Sequence, residues 1–337
     1  MGDGLTARTS RRWTVLVVAA VIMVVAVLLS LSVGSNRLPV TEVWDLLLHP
    51  DGSTESAAIH GQRLPRTAVA VAVGAALGLA GALMQSLTRN PLADPGILGI
   101  NAGASLTVVL AVAVTGLTGI WFYLWFAFAG AAVTSVGVYL LAGTGRHSAT
   151  PARLALAGVA VSAALVAITQ TVILADQQAF NEFRLWVAGS LEGRGWTELS
   201  AITPFLLVGL VIAVLIGPAL NALGLGDETG RALGVRVPWT RSLAMVAVTL
   251  LCGAATAAVG PIAFVGLAVP MLTRAAVGHD LRWMTPLCLL LGASWLLVAD
   301  TLARVVTAQE VAAGVIAALL GGPVFVAVVR RRKVPAL

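Results

Sequence analysis

Charged residues are scarce in this chain. Only 11% of its 337 residues are Asp, Glu, Lys or Arg, whereas about 25% is usual for a soluble domain. Hydrophobic residues make up 58% of the chain, and the mean hydropathy is +0.95. Because one membrane-spanning helix needs about 20 mainly apolar residues, the chain has room for many of them. The composition therefore excludes an ordinary soluble protein and indicates an integral membrane protein.

Lysine, cysteine and histidine are also rare, and each shortage argues against a kind of site. Lys333 is the single lysine and stands near the end of the chain, so there is no G-x-x-x-x-G-K-[ST] loop to bind ATP. Cys252 and Cys288 both lie in apolar runs, which argues against a disulfide framework or a CxxC metal site. The four histidines lack metal-ligand spacing. We therefore predict no catalytic residue, no metal site and no bound cofactor in this chain.

Acidic residues are missing from the middle of the apolar runs. Ion-coupled carriers usually keep ionisable groups there, so this absence disfavours a stand-alone ion-coupled secondary transporter, which is the alternative interpretation. A membrane-embedded enzyme ranks third, because no paired acid and base or metal cluster stands within the runs. The main polar residues in the runs are Gln85, Asn101 and Gln170. They are the candidates for a substrate pathway, although an interhelical hydrogen bond is the simpler explanation for each.

Ten apolar segments read as membrane spans, which predicts an all-α polytopic membrane protein with a single transmembrane domain over residues 1–337. The segments lie near residues 13–33, 65–86, 96–115, 119–142, 152–175, 199–219, 242–260, 262–276, 283–303 and 311–329. The segment at 262–276 is the shortest and contains Pro270, and Gly260-Pro261 before it is compatible with a break inside one longer element. The first segment follows Arg11-Arg12, as a signal sequence would, but it is long and has no clear A-x-A cleavage site. We expect the chain to retain it.

The basic residues predict the orientation of these spans. With the N-terminus inside, six basic residues lie outside, which leaves 15 of the 21 on the inside. The six are Arg37, Arg63, Arg66, Arg184, Arg194 and Arg304. The positive-inside rule therefore predicts that both termini are cytoplasmic. Five spans in each half would make two inverted five-helix halves. The net charge of +6 is then a consequence of topology and not a sign of nucleic-acid binding.

Two apolar runs within residues 63–105 are joined by the polar segment Asn90-Pro91-Leu92-Ala93-Asp94-Pro95. Proline lacks an N–H and disfavours a helical residue before it, so this segment should end one helix and begin the next. The runs carry glycines at helical spacing, namely Gly74, Gly78 and Gly81 in the first and Gly96, Gly99 and Gly103 in the second. Small residues let membrane helices approach closely. We expect these glycines to lie at helix contacts.

The longest inside loop, residues 220–240, is not a polar linker. Asp227-Glu228 should begin a short helix, whose N-terminus favours negative charge, and Gly234 should end it. Apolar residues surround this helix, namely Leu223, Leu225, Leu233 and Val235. Such a helix suits docking into the groove of another protein, and a helix lying on the membrane surface fits equally well. A second amphipathic segment, residues 40–48, is expected to lie along the membrane surface.

A series of short motifs follows in order along nearly the whole chain. They are Arg63-Leu64-Pro65-Arg66, Gly81 with Gln85, the segment 89–95, Leu98-Gly99, Gly103-Ala104, Trp186 with Gly189-Ser190-Leu191, the loop 225–235, the segment 260–267 with Pro270 and Arg274, Gly292-Ala293, Ala299-Asp300, Ala303-Arg304, Gly314, Gly322-Pro323 and Phe325. On these residues the chain resembles the FecCD family, the membrane permeases of ABC importers for ferric siderophores, haem and cobalamin.

The resemblance implies a ten-span permease of the bacterial cytoplasmic membrane that pairs with a second permease around a central pathway. Two cytoplasmic ATPase subunits, which bind ATP and magnesium, and an extracytoplasmic substrate-binding protein would complete the importer. The expected cargo is an iron–siderophore or a related chelate such as haem or cobalamin. The chain itself would do no covalent chemistry and bind no nucleic acid.

The resemblance also assigns roles to residues. Arg63, Arg66 and Arg304 would bind carboxylates of the binding protein, as bidentate arginines can. Contact with lipid headgroups is the alternative for each, and the resemblance disfavours it. The turn Asn90-Pro91-Leu92 would form the cytoplasmic gate. The element that couples to the ATPase would consist of Asp227, Glu228, Gly230, Arg231, Ala232, Leu233, Gly234 and Val235.

Two positions depart from the family pattern. Met271 stands where the family usually has histidine, and Ala312-Ala313-Gly314 stands where it usually has Pro-x-Gly. Several family members work as pairs of two different permeases, and relaxed motifs suit one member of such a pair. We therefore favour a heterodimer over a homodimer.

Overall fold

The computed structural model describes residues 2–34, 37–117, 119–143, 151–306 and 310–331. Within these ranges the regular structure is helical. The α-helices are α1 (Gly2–Ser32), α2 (Val40–Leu48), α3 (Thr54–Ala58), α4 (Leu64–Thr88), α5 (Ile100–Thr115), α6 (Ile120–Gly143), α7 (Pro151–Ala175), α8 (Gln177–Val187), α9 (Trp196–Leu223), α10 (Asp227–Ala232), α11 (Val237–Val259), α12 (Val265–Val277), α13 (Leu281–Ala303) and α14 (Ala313–Arg331). A π-helical turn (Ile59–Arg63) precedes α4, and a 3-10 turn (Pro95–Leu98) precedes α5.

Each of the ten predicted spans coincides with a helix. Among the described residues, seven helices are long and apolar enough to cross a membrane, namely α1, α4, α6, α7, α9, α11 and α13. The other three, α5, α12 and α14, are shorter apolar helices. The predicted all-α membrane fold is confirmed. The number of ten crossings and the cytoplasmic termini stay predictions, and residues 332–337 at the C-terminus lie outside the described residues.

The chain divides into two compact units. The first comprises the described residues within Met1–Leu79, Leu191–Leu199 and Ala263–Leu337, and the second comprises those within Ala80–Ser190 and Ser200–Ile262. The first unit thus joins the beginning and the end of the chain, whereas the second is built mainly from its middle.

In the first unit, glycines of α4 bring its backbone against that of α13. A Cβ atom added to Gly74 would lie 2.9 Å from the Cα of Ala293, and one added to Gly78 would lie 2.5 Å from the carbonyl oxygen of Cys288. Real Cβ atoms do not approach backbone atoms this closely, so the two helices could not pack in this way with larger residues. The predicted close packing through these glycines is confirmed, and α13 is the helix that they contact.

Helix α2 (Val40–Leu48) has the predicted bounds, but it does more than lie on a membrane surface. Val43 and Leu46 are buried in a small apolar cluster with Leu31, Leu38 and Ile59. This cluster holds α2 against the end of α1 and the π-helical turn. At the other end of α1, the ring of Trp13 packs edge-on against that of Trp283 of α13, with the two ring centroids 5.4 Å apart.

In the second unit, α5 packs against α6 through another glycine contact. A Cβ atom added to Gly103 would lie 2.7 Å from the Cβ of Thr134, and the hydroxyl of Thr107 donates to the carbonyl of Phe126 at 2.6 Å. Helix α11 is largely buried, whereas only a small part of α7 and of α9 is buried. In a membrane protein, such exposed helices face lipid or another subunit.

Replacing Gly74 with alanine tests the backbone contact between α4 and α13. The added methyl group has no room, so we expect Gly74→Ala to lower the free energy of unfolding by about 1–3 kcal/mol, as overpacking does. The matched control is Gly137→Ala in α6, because a Cβ atom there meets no atom within 4 Å. Thermal unfolding of the purified chain in detergent measures both. Equal midpoints for the two variants would contradict the assigned contact.

Candidate functional site

Arg63, the first of the predicted docking arginines, is buried. Its Nη1 atom donates to the carbonyl oxygens of Leu31 at 2.8 Å and Ser32 at 3.2 Å. These are the last residues of α1, where a helix leaves carbonyl groups without partners and favours a positive charge. The Arg63 side chain therefore caps the end of α1.

Asp300 is completely buried and accepts hydrogen bonds from the other two predicted docking arginines. Arg66 binds its carboxylate in a bidentate manner. The Nη2 atom donates to Oδ1 at 2.8 Å, and the Nε atom lies 3.1 Å from Oδ1 and 3.2 Å from Oδ2. Arg304 donates to Oδ2 from Nε at 3.1 Å and also from Nη2. A buried carboxylate needs such charge-assisted partners. The pair of arginines supplies them.

The remaining N–H groups of Arg304 and Arg66 connect the Asp300 site to α1 and to the segment before α14. Arg304 Nη1 donates to the carbonyl oxygens of Ser30 at 2.9 Å and Val33 at 3.1 Å. Arg66 Nη1 donates to Glu310 at 2.9 Å. Of the side chains, Arg66 keeps 13% of its surface exposed and Glu310 keeps 36%. A protein that approached this cluster would meet Arg66 and Glu310 first.

The structure therefore brings Arg66 and Arg304 together on Asp300, and Arg63 and Arg304 both donate to carbonyl groups at the end of α1. We call the three arginines, together with Asp300 and Glu310, the outer arginine cluster. Whether it docks a binding protein stays a prediction. Sequence reasoning missed Asp300 as the centre of the cluster. The four-residue spacing of Asp300 and Arg304 on one helix face was the available signal.

The predicted gate turn has the expected shape. Helix α4 ends at Thr88, and the side chain of Asn90 accepts a hydrogen bond from the backbone N–H of Leu92 at 2.9 Å. Asp94 accepts from the N–H of Gly96 at 2.8 Å and so caps the 3-10 turn. Asn90, Pro91 and Leu92 are exposed. The prediction that this segment separates two helices is confirmed.

Helix α10 (Asp227–Ala232) is the predicted short helix of the inside loop. Gly234 has a φ of +83°, its N–H donates to Arg231, and the N–H of Val235 donates to Gly230, each at 2.9 Å. This pair of bonds is the Schellman ending of a helix. Leu225 and Leu233 are exposed, at 71% and 63%. Leu223 was wrongly grouped with them, because it is buried against Gly230.

Asp227, the first residue of α10, is held by two arginines. Arg241 Nη2 donates to both carboxylate oxygens, at 3.0 and 2.9 Å, and Arg89 Nη2 donates to Oδ1. Burial raises the pKa of the Asp227 carboxyl, but the hydrogen bond from Arg89 and the charges of Arg241 and Arg231 outweigh it. The pKa therefore lies below its usual value. The carboxylate is ionised at neutral pH, and its stabilising effect disappears only as the pH falls below about 3.9.

The three pathway candidates lie in different surroundings. Gln85 is buried within the packed helices. Asn101 accepts a hydrogen bond from the hydroxyl of Thr256 at 3.0 Å, which joins α5 to α11. Gln170 is exposed on α7. Asn101 therefore fits the interhelical explanation, whereas Gln170 is available to a partner or to a solvated pathway.

Sequence reasoning also missed two residues near α10. Arg241 lies in the first turns of α11 and is buried at its contact with Asp227. Trp239 lies two residues before it and is 65% exposed. Both lie between Arg236 and the predicted span at 242–260, in a stretch where the sequence analysis assigned no site residue.

Comparison with known proteins gives consistent results along the chain. The model of the FecCD transport family matches residues 22–331. The chain is 43% identical over 311 residues to the ferric enterobactin transport system permease protein FepD of Escherichia coli (strain K12). This alignment covers 92% of the chain and 93% of FepD. It is 38% identical over 325 residues to the Fe(3+)-citrate import system permease protein YfmD of Bacillus subtilis (strain 168). That alignment covers 96% of this chain and 96% of YfmD.

A solved structure is similar as well. It is described as an inward-facing conformation of a metal-chelate type ABC transporter, and it superposes with a TM-score of 0.83. The identity is 26%, and the match covers 95% of this chain and 100% of the other. The similarity in fold therefore extends over almost all of the chain.

Replacing Asp300 with asparagine tests the centre of the outer arginine cluster. The change leaves the buried Arg304 guanidinium without its counter-charge and leaves Arg66 with Glu310 alone. We therefore expect a loss of about 3–5 kcal/mol in the free energy of unfolding. The control is Glu310→Gln, which removes the more exposed partner of Arg66 and should cost at most about 1 kcal/mol. Thermal unfolding in detergent compares them. A smaller effect for Asp300→Asn than for Glu310→Gln would contradict the assignment.

Proposed function

The chain belongs to the FecCD transport family, and on this premise we propose that it is the permease subunit of an ATP-driven importer for an iron–siderophore or a related chelate such as haem or cobalamin. It is a multi-pass protein of the bacterial cytoplasmic membrane and a transport subunit rather than an enzyme. The observation that carries the proposal is the match to FepD, a ferric enterobactin permease, over nearly the full length of both chains.

The proposed importer contains a second permease, two ATPase subunits and an extracytoplasmic binding protein. ATP and magnesium would bind in the ATPase subunits. Gln170 supports the second permease, because an exposed amide on an apolar helix is costly in lipid and favours a protein neighbour or a solvated pathway. Met271 and Ala312-Ala313-Gly314 favour a second permease of different sequence.

On the outer side, the proposed docking surface is the outer arginine cluster. Its five charged groups are three arginines and two acids, so it keeps one excess positive charge to attract a carboxylate. Arg66 is the arginine that such a carboxylate would reach, since Arg63 and Arg304 are more deeply buried. Asp300 and Glu310 hold Arg66 in place before docking.

On the inner side, the proposed coupling surface consists of α10 with the exposed side chains of Leu225, Leu233 and Trp239. Apolar anchors of this kind on a short helix suit a groove on a partner protein. Movement of this surface during ATP binding and hydrolysis would open and close the gate turn Asn90-Pro91-Leu92. The permease pair would then expose the central pathway to each side of the membrane in turn.

Replacing Gly230–Val235 with a Ser/Gly linker of equal length tests the coupling surface. The linker removes both the Schellman ending of α10 and Leu233, so we expect loss of ATPase co-purification and of stimulated ATP hydrolysis. Leu233→Asp should weaken both in the same direction. Val306→Asp is a matched control, because Val306 is similarly exposed, at 60%, on the predicted outer side. Full coupling in the linker variant would exclude this loop as the coupling element.

Replacing Arg66 with glutamine tests the docking surface. Loss of the accessible arginine should weaken binding of the loaded binding protein by about tenfold or more, as at an interface hot spot. Arg37→Gln is the control, because Arg37 is exposed on the same predicted side without belonging to the cluster. Binding is measured with the detergent-purified complex, with bound ATPase as the check on assembly. Equal affinities for the two variants, with assembly intact, would refute the docking role.

A further inference from the structure

Three charged side chains from distant parts of the chain meet beside α10. Asp227 begins α10, Arg89 lies between the end of α4 and Asn90 of the gate turn, and Arg241 belongs to α11. Arg241 binds both oxygens of the Asp227 carboxylate, at 3.0 and 2.9 Å, and Arg89 binds Oδ1. We call these three residues the inner ionic link. The link joins the first residue of the proposed coupling helix to the residue that directly precedes the gate turn.

The geometry of the link differs from that of an ordinary surface ion pair. Arg241 is buried and donates from Nη2 to both carboxylate oxygens. The Asp227 side chain is 25% exposed and that of Arg89 is 36% exposed. Arg89 has a φ of +51°, which a residue with a side chain adopts only when its surroundings hold it there. The bond to Asp227 is a contact that fixes the direction of the Arg89 side chain from this unusual backbone conformation.

Helix α10 is also held at its other end. Its Schellman ending fixes the backbone around Gly234, and Gly230 packs directly on Leu223 of α9. Because this helix has only six residues and is held at both ends, we expect it to move as one piece. Any displacement of its exposed surface must therefore displace the Asp227 carboxylate and the two guanidinium groups bound to it.

We propose that the inner ionic link transmits the movement of the coupling helix to the gate turn, with Asp227 as the positioning residue, Arg89 as the connection to Asn90-Pro91-Leu92 and Arg241 as the anchor on α11. The proposal rests on the proposed function, since it needs an ATPase that moves α10. It adds a role for Asp227 that does not require this side chain to touch the ATPase. Asp227 instead faces two arginines of its own chain.

A double-mutant cycle in the reconstituted complex tests the link. The variants are Asp227→Asn, Arg89→Gln and the two together, and the quantity measured is transport per ATP hydrolysed. We expect each single variant to keep the ATPase bound and to lower this ratio by about fivefold or more, the lower end of usual coupling strengths. The double variant should be no worse than Asp227→Asn alone, because that change already removes the charged contact with Arg89.

Arg236→Gln is the matched control, because Arg236 is an exposed arginine of the same loop outside the link. Its transport per ATP should equal that of the unmodified chain. The proposal is overturned if the Asp227 and Arg89 variants behave like this control, or if their effects simply add. Loss of ATPase binding in Asp227→Asn alone would also overturn it, because Asp227 would then serve docking.

A second readout reports the gate directly. A cysteine introduced by Leu92→Cys is probed with a membrane-impermeant maleimide, with and without ATP and vanadate. In an otherwise unmodified complex the labelling rate should change with nucleotide, and with Asp227→Asn that change should disappear. An unaltered nucleotide response would contradict the link. Failure of the proposed function would look different, because the unmodified complex itself would then show no ATP-dependent transport.

Discussion

Helices in a bilayer gain nothing from hiding apolar side chains from one another, because the lipid around them is equally apolar. Close backbone contact has to hold them together instead, and the glycines supply it. Gly74 and Gly78 bring α4 onto α13 in one unit, and Gly103 brings α5 onto α6 in the other. The charged clusters can form only where this packing carries the ends of the helices to fixed positions.

Two aspartates of the chain are bound by arginines in a similar way. Asp300 in the first unit and Asp227 in the second are each bound by two arginines, one of which contacts both carboxylate oxygens. In each case the carboxylate joins helices far apart in the sequence, since Arg66 and Asp300 are 234 positions apart and Arg89 and Asp227 are 138 apart. Both clusters lie next to a proposed contact surface, so the residues that stabilise the helix ends also shape the surfaces that partners would meet.

Local features of this fold followed from the sequence, whereas long-range pairings did not. Apolar length predicted the helices, prolines predicted the break at residues 90–95, and Asp227 and Gly234 predicted the bounds of α10 to within two residues. Periodicity does not say which helices touch. The arginines at positions 66 and 304 were therefore identified without Asp300, the acid that binds both. Leu223 was placed on the surface, although it is buried against Gly230.

Identifying the complex that contains this chain tests the central claim most directly. The tagged chain is purified in mild detergent, its partners are identified by mass spectrometry, and the complex is assayed for transport in vesicles. The account predicts a co-purifying ATPase, a second permease of different sequence and uptake of an iron chelate that requires ATP. A chain recovered alone, and transporting with an ion gradient in ATP-free vesicles, would contradict it and indicate a secondary transporter.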